Sequence, residues 1–232
     1  MSQRFYVNQP LDPGHFLLQG PEAHHLAVVS RIHVGETVVL FNGDGREWPA
    51  RVLHIGKREV ELDLEPPREV SRELGYQLIV ACPLPKGDRG QFLIEKLTEL
   101  GATAYVPLET RRSVITVSDA KTEKLQRYVI EASKQCGRNR LMEIREPRPW
   151  AEFVQDGALP SRRWLGHRLG ESIRMERPTD TVLAVGPEGG FTEEELDAAR
   201  SAGWTPISLG PRTLRIETAA LALTVLAASS VS

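Results

Sequence analysis

A glycine-rich turn between an apolar segment and a helix start is the clearest chemical signal in the sequence. Residues 182–185 are all apolar, residues 186–191 read Gly-Pro-Glu-Gly-Gly-Phe, and Thr192 with Glu195 has the spacing of a capping box. Ligands of open α/β sheets lie at the carboxyl ends of strands, and glycines let a ligand approach the backbone closely. The pattern predicts a ligand-binding loop, and a plain strand–turn–helix corner is the alternative.

The residues around this loop argue against a phosphate ligand. No Lys-Ser or Lys-Thr pair follows the glycines, and the dinucleotide-binding spacing G-x-G-x-x-G is absent. Glu188 and the glutamates at 193–195 crowd a helix N-terminus that would otherwise attract an anion. We therefore expect a neutral or cationic ligand.

Charged residues at the start of a very apolar helix form the second signal. Arg212, Arg215 and Glu217 follow a Leu-Gly-Pro turn at residues 209–211, and arginines at a helix start oppose the helix dipole. A catalytic role competes here with a simple Arg–Glu ion pair that ties the helix to the sheet. The helix itself, residues 216–229, is apolar on all sides, which favours burial against a second subunit over an internal core position.

Other reactive residue types give weaker signals. His24 and His25 are adjacent and therefore point to different faces, so we expect no metal site. Cys136 has no evident base beside it and is better explained as a core thiol. Short basic clusters, which together would suit a phosphate-binding face, occur at residues 86–89, 111–112, 138–140 and 162–163.

The first third of the chain has the pattern of a β-rich domain. Residues 36–41, 48–55 and 60–64 are predicted strands, with a tight turn at residues 42–45 and a short helix at residues 21–28. Prolines 66 and 67 interrupt this pattern, because neither can donate to a strand ladder. We place a domain boundary between residues 66 and 75.

Beyond the boundary, predicted strands alternate with helices, which is typical of a mostly parallel α/β sheet. The predicted strands are residues 76–82, 104–108, 164–166, 181–185 and 207–209. The predicted helices are residues 91–100, a helix capped by Asp119 and reaching residue 136, residues 192–202, and residues 216–229.

Composition sets the class of protein. The chain has 232 residues, 41% of them hydrophobic, with 29 Lys and Arg against 31 Asp and Glu. This is ordinary globular composition, and a net charge of −2 gives no general attraction to nucleic acid or membranes. Two cysteines exclude a disulfide framework, and the apolar run at residues 218–228 is too short to span a membrane. We expect a soluble, cytoplasmic protein without membrane contact.

Taken together, these residues resemble the RsmE family of bacterial 16S rRNA uridine-N3 methyltransferases, in the SPOUT class. The similarity covers nearly the whole chain. Its motifs are residues 4–7, 24–26, Arg31 with 34–36, 86–89, 95–101, 131–132 with 135–138, 186–191 and 209–212. Ile216 departs from the pattern, because the family generally has Thr there.

The resemblance implies an α/β protein with two domains. Residues 1–72 would form a PUA-like β-barrel that places RNA, and residues 73–232 a SPOUT domain with a deep trefoil knot. It also implies a homodimer whose active site borders both subunits, and a substrate, 16S rRNA, presented in the assembled small ribosomal subunit.

The resemblance further implies S-adenosylmethionine as cofactor, whose positive charge agrees with the acidic loop. The expected cofactor contacts are Leu165, Gly166, His167, Gly186, Glu188, Gly189, Gly190, Leu209, Gly210 and Leu214. The expected RNA contacts are Arg4, Arg31, Lys86, Arg89, Arg138 and Asn139.

The chemistry of uracil suggests roles for the charged residues. N3 holds its proton at neutral pH, so it attacks a methyl group only as that proton leaves, and a guanidinium favours the developing anion. We assign that part to Arg212 or Arg215, with Glu217 as the base or as the group that orients an arginine. The target base would be flipped out to expose N3. Two rivals stay open at this point, a non-catalytic RNA-binding ribosome-assembly factor and a nucleotide-binding α/β enzyme.

Overall fold

The computed structural model describes residues 3–113, 118–171 and 177–229. The chain divides into two compact units. The N-terminal unit comprises Met1–Glu73 together with Ser133–Leu141, and the C-terminal unit comprises Leu74–Ala132 with Met142–Ser232. The short segment at residues 133–141 therefore packs with the first unit although it follows much of the second in sequence.

The N-terminal unit is built on a mainly antiparallel sheet, which confirms the predicted β-rich pattern. Within the described residues the sheet has six strands in the order β1-β3-β4-β5-β2, with β6 paired to β4, and only β1 and β3 run parallel. The strands are β1 (Arg4–Tyr6), β2 (Gly14–Gln19), β3 (Thr37–Phe41), β4 (Arg46–Ile55), β5 (Glu59–Leu64) and β6 (Arg68–Glu69). The predicted turn at residues 42–45 joins β3 to β4.

A short helical segment packs on this sheet. Helix α1 (Gly20–His24) continues into one turn of π-helix (His25–Val29), where sequence predicted a single short helix. Ala23 and Leu26 are buried against inward-facing strand residues such as Phe5, Leu40 and Leu62. Alternate burial along β5 gives this unit a hydrophobic core of its own.

The C-terminal unit contains a parallel sheet, as predicted. Its seven strands within the described residues lie in the order β10-β8-β7-β12-β11-β13, with β9 beside β8. They are β7 (Leu78–Cys82), β8 (Ala104–Glu109), β9 (Glu143–Ile144), β10 (Arg148–Pro149), β11 (Arg162–Glu171), β12 (Thr181–Val185) and β13 (Thr205–Ile207). The helices are α2 (Asp88–Glu99), α3 (Asp119–Cys136), α4 (Trp150–Phe153), α5 (Glu193–Ser201) and α6 (Ile216–Ala228).

Local sequence rules explain most element boundaries here. Every residue of β7 and β12 is buried, as expected for strands covered on both faces. Helix α5 begins with the predicted capping box, in which the Thr192 hydroxyl accepts from Glu195 N–H and the Glu195 carboxylate accepts from Thr192 N–H. The predicted α/β class is thereby confirmed.

Several predicted boundaries were wrong. The strand predicted at residues 164–166 is longer, Arg162–Glu171. The last strand is Thr205–Ile207 rather than 207–209, and Gly210 follows with a φ of 97°. Helix α3 begins at Asp119, and the backbone N–H groups of Lys121 and Thr122 donate to the Ser118 carbonyl. The predicted cap by the Asp119 side chain lies outside what the structure describes.

Candidate active site at the carboxyl edge of the parallel sheet

A cavity of about 330 Å³ lies at the carboxyl ends of β12 and β13, beside the middle of β11. Three chain segments form it, residues 166–168, residues 185–191 and residues 207–214, and Ala219 of α6 completes the wall. The predicted edge of the sheet thus holds a ligand-sized pocket. The volume falls within the range of ordinary small-molecule sites.

The glycine-rich loop is shaped by the residue that follows it. A Cβ on Gly186 would lie 3.0 Å from Cδ2 of Phe191, so the backbone can pass there only without a side chain. The Phe191 ring is buried and packs on Trp150 at a centroid distance of 4.6 Å. Gly190 N–H donates to the Pro187 carbonyl at 2.8 Å and closes the turn. The ring stack therefore fixes the pocket wall from behind.

Two neighbouring arginines after β8 hold this loop in place. Arg112 Nη1 donates to the Gly189 carbonyl at 2.5 Å. The backbone N–H of Arg111 donates to Glu195 Oε1 at 3.0 Å, and its guanidinium lies 3.4 Å from Glu194. The sequence alone does not distinguish this pair from the other basic clusters, because the residues that it contacts lie far along the chain.

Partners of the glutamates stabilise the charged carboxylates of the acidic loop. Hydrogen bonding from Thr192, followed by backbone hydrogen bonding and the charge of Arg111, lowers the pKa of Glu194. Glu195 is buried in the capping box, and Glu188 lies 3.7 Å from Arg89. Three of the four glutamates therefore have hydrogen-bond or ion-pair partners.

The predicted cofactor residues converge on the cavity with one exception. Leu165 is fully buried in the hydrophobic core and does not line the pocket, because the lining begins one residue later in β11. The other nine all line it. Lining residues that the prediction missed are mostly neighbours of these, such as Arg168, Pro187 and Phe191.

The three predicted catalytic residues occupy different environments. Arg212 is exposed and lines the cavity, whereas Arg215 is exposed at the residue that precedes α6. Glu217 lies in the first turn of α6 and is only 6% exposed. Within the described residues its ion-pair partner is Arg89 at 3.7 Å, not Arg212 or Arg215. The sequence could not show this pair, since Arg89 comes from the start of α2.

Two predicted RNA contacts are buried inside the N-terminal unit, and a third, Arg4, has a side chain that is 10% exposed. Arg138 is 3% exposed and donates two hydrogen bonds to Glu73, at 2.6 Å and 3.2 Å. Asn139 is 2% exposed, donates to the Val70 carbonyl and accepts from Arg4. Contact of these side chains with RNA stays a prediction. Their hydrogen bonds join the segment at residues 133–141 to the rest of the N-terminal unit.

A partly buried carboxylate completes this polar cluster. Glu47 accepts hydrogen bonds from Arg4 at 3.0 Å and from Arg72 at 3.3 Å. Burial acts to raise the pKa of Glu47, but the two arginines outweigh it and leave the pKa below its ordinary value. The remaining predicted RNA contacts differ, since Arg31 and Lys86 are exposed and Arg89 is partly exposed.

Other reactive groups contribute little to the pocket. Burial raises the pKa of Cys82 to about 12, so this thiol stays protonated at neutral pH. Across residues 3–113, 118–171 and 177–229, no group of three or more His, Cys, Asp or Glu side chains is placed to hold a metal ion. In the same ranges no helix has the length and apolar character required to cross a membrane.

Comparison with known proteins agrees with this arrangement. Residues 72–228 match the RNA methyltransferase domain family, and residues 18–65 match the RNA methyltransferase PUA domain family. A ribosomal RNA small subunit methyltransferase E from Synechocystis is 35% identical over 85% of this chain and 67% of its own.

Two solved structures are similar over almost the full length. A methyltransferase from Legionella pneumophila, solved with the bound cofactor SAM, has a TM-score of 0.87 and 32% identity, covering 97% of each chain. A ribosomal RNA small subunit methyltransferase E from Neisseria gonorrhoeae, bound to S-adenosyl methionine, has a TM-score of 0.84 and 29% identity, covering 97% of this chain and 95% of its own. The chain therefore belongs to the ribosomal RNA small subunit methyltransferase E family.

Proposed function

We propose that this protein transfers the methyl group of S-adenosylmethionine to N3 of a specific uridine in 16S rRNA. The observation that carries the proposal is the cavity in which three separate loops bring together nine of the ten expected cofactor residues. Family membership supports the rRNA substrate, and similar proteins have been solved with this cofactor bound.

The lining of the cavity fits the chemistry of the cofactor. Apolar side chains of Phe191, Leu209 and Leu214 suit the adenosine part, and the backbone of the glycine loop offers close polar contacts. Glu188 supplies a carboxylate toward a positively charged methionine part. When bound, S-adenosylmethionine supplies an electrophilic methyl group.

The protein's own part in the reaction is to orient uracil and to favour its anion. Arg212 on the pocket wall is the guanidinium best placed for this, since it is exposed and lines the cavity. Arg215 lies just outside and would contact the flipped nucleotide. Glu217 is buried and paired with Arg89, which favours its orienting role over that of a general base. Because N3 attacks the methyl group of the cofactor directly, no covalent enzyme intermediate is required, and the buried Cys82 thiol has no part in the reaction.

We extend the proposal to the finer architecture. Residues 1–72 form a PUA-like barrel for RNA placement, and residues 73–232 form a SPOUT domain with a trefoil knot. A tight chain crossing supports the knot, because a Cβ on Gly170 would lie 2.5 Å from the Pro206 carbonyl carbon. Ser208 is hydrogen bonded through its N–H to the Glu171 carbonyl and through its hydroxyl to the Arg168 carbonyl.

A homodimer is part of the same proposal. Helix α6 buries one face and leaves Thr218 and Val225 exposed, the latter by 44%. Phe92 on the adjoining α2 is 46% exposed. Exposed apolar side chains on two packed helices suit a subunit interface. Since Arg89 and Glu217 begin these same helices, a partner would border the active site.

The substrate is best placed in the assembled small ribosomal subunit in the cytoplasm. The net charge of −2 gives little general attraction to RNA, so binding depends on local contacts. Arg31, Lys86 and Arg89 are exposed enough to reach RNA directly. The partly buried Arg4 and the buried Arg138 and Asn139 would act by holding the N-terminal unit together.

Methyl transfer in vitro tests the proposal. Small ribosomal subunits purified from a strain lacking this protein should accept a labelled methyl group from S-adenosylmethionine, and nuclease digestion should release it as N3-methyluridine. Subunits from the parent strain serve as the control, because their target is already methylated. Binding to these subunits without any transfer would favour a non-catalytic RNA-binding assembly factor.

A further inference from the structure

Arg89 lies between two carboxylates and is fixed to neither by a hydrogen bond. Its Nη1 is 3.7 Å from Glu188 Oε1 and 3.7 Å from Glu217 Oε2. Both distances exceed normal hydrogen-bond length, so charge alone holds the guanidinium. Its side chain is 35% exposed. In the described part of the chain this arginine is therefore free to shift between its two partners.

The two carboxylates differ in how strongly they need a cation. Glu217 is 6% exposed, and its Oε2 has no hydrogen-bond partner among the described residues. A buried carboxylate without its cation is costly, so Glu217 retains Arg89. Glu188 lines the cofactor cavity, and its side chain is 56% exposed, so water solvates it when Arg89 moves away.

A cationic ligand competes with Arg89 for Glu188. The methionine part of S-adenosylmethionine carries a sulfonium, an ammonium and a carboxylate, which sum to one positive charge. The product, S-adenosylhomocysteine, has a neutral sulfur and no net charge on the same part. The two ligands therefore differ in charge at the place where Glu188 and Arg89 meet.

We infer that Arg89 is an exchangeable counter-ion of Glu188, which yields that carboxylate to the cofactor's positive charge and withdraws toward Glu217. This role rests on the proposed use of S-adenosylmethionine. It makes Arg89 a positioning residue that lowers the preference of the pocket for the charged cofactor over its neutral product.

Calorimetric affinities for both ligands test the exchange. The Kd of S-adenosylhomocysteine divided by the Kd of S-adenosylmethionine is measured for the wild type and for Arg89→Gln. Removing the competing cation should raise this ratio by about three- to tenfold. A ratio cancels any general damage to the pocket, because both ligands share the adenosine and the carbon skeleton.

Three variants complete the design. Lys96→Gln removes the same charge from the same helix, at a side chain paired with Glu99, and should leave the ratio within about twofold of wild type. Arg89→Lys keeps the charge and should do the same. Glu217→Gln removes the second carboxylate, so that Arg89 pairs with Glu188 alone, and should lower the ratio of the two Kd values. This variant tests the exchange if Arg89→Gln does not fold.

The possible results distinguish failure of the Arg89 exchange from failure of the proposed methyltransferase function. An unchanged or lower ratio in a folded Arg89→Gln would show that Arg89 is a fixed structural contact and overturn the inference alone. If the wild type bound neither ligand, the proposed function would fail and the inference with it.

Discussion

Arginines in the two units of this protein differ in burial and in the length of their contacts with carboxylates. In the N-terminal unit, Arg138 is buried and bonded to Glu73 at 2.6 Å. At the sheet edge of the C-terminal unit, Arg89 lies 3.7 Å from each of its carboxylates and Arg212 is exposed on the cavity wall. A buried guanidinium with short hydrogen bonds contributes to the stability of the fold. An exposed guanidinium in long ion pairs keeps its N–H donors available for a ligand. The following substitutions test this contrast.

The largest effect is expected at Arg212. Replacing it by alanine removes the guanidinium that favours the uracil anion, and should lower single-turnover methylation by about 100- to 1000-fold. Cofactor affinity, measured by calorimetry, should change by less than about threefold, since the apolar wall and glycine loop remain. Arg215→Ala should also slow transfer more than it weakens cofactor binding. Full turnover in both variants would remove these arginines from the reaction.

The next effect is on stability rather than activity. Arg138→Ala leaves the Glu73 carboxylate partly buried without its partner, and should lower the free energy of unfolding of the N-terminal unit by about 2–3 kcal/mol. Arg68→Ala breaks an exposed pair with Glu65 in the same unit and should cost less than about 0.5 kcal/mol. Urea titration of the full chain measures both. Equal effects would show that the buried cluster has no special part in stability.

A smaller effect is expected for the arginine that holds the glycine loop. Arg112→Ala removes the hydrogen bond to the Gly189 carbonyl and should weaken S-adenosylmethionine binding by about three- to tenfold. Arg111→Ala is the matched control, because its contact with Glu194 is exposed and its backbone bond to Glu195 remains. Its affinity should stay within about twofold of wild type. If both variants bound the cofactor equally well, the loop would not depend on Arg112.

The smallest effect concerns pH. Because the folded-state pKa of Glu47 is lowered, its contribution to stability is present above the unfolded value of about 4.3 and is lost as pH falls through the folded value. Glu47→Gln should therefore destabilise the protein near neutral pH and have a diminishing effect below about pH 4. Thermal melting of both proteins from pH 7 to pH 3 checks this. A constant difference in Tm across that range would contradict it.

Structural elements that are determined by neighbouring residues could be predicted from the sequence. The buried run 182–185, the glycines after it and the Thr192–Glu195 capping box are neighbours in sequence, and the structure places them as predicted. The RsmE-family resemblance is confirmed by the comparisons. It supplied the segments at residues 166–167 and 209–214, which periodicity alone could not assign to the same pocket.

Contacts between residues of elements that are distant in sequence could not be predicted. The pairing of Arg89 with Glu217 depends on α2 and α6 starting side by side, and no local pattern records that. The same holds for the segment at residues 133–141, which joins the N-terminal unit through Arg138 and Asn139. A basic cluster in sequence looks the same whether its charges are buried or exposed.

We propose that this protein methylates N3 of a 16S rRNA uridine, and mass spectrometry of nucleosides from purified small-subunit rRNA tests this activity. Deletion of the gene should abolish N3-methyluridine, and expression of the wild-type chain, but not of Arg212→Ala, should restore it. Unchanged N3-methyluridine in the deletion strain would contradict the account.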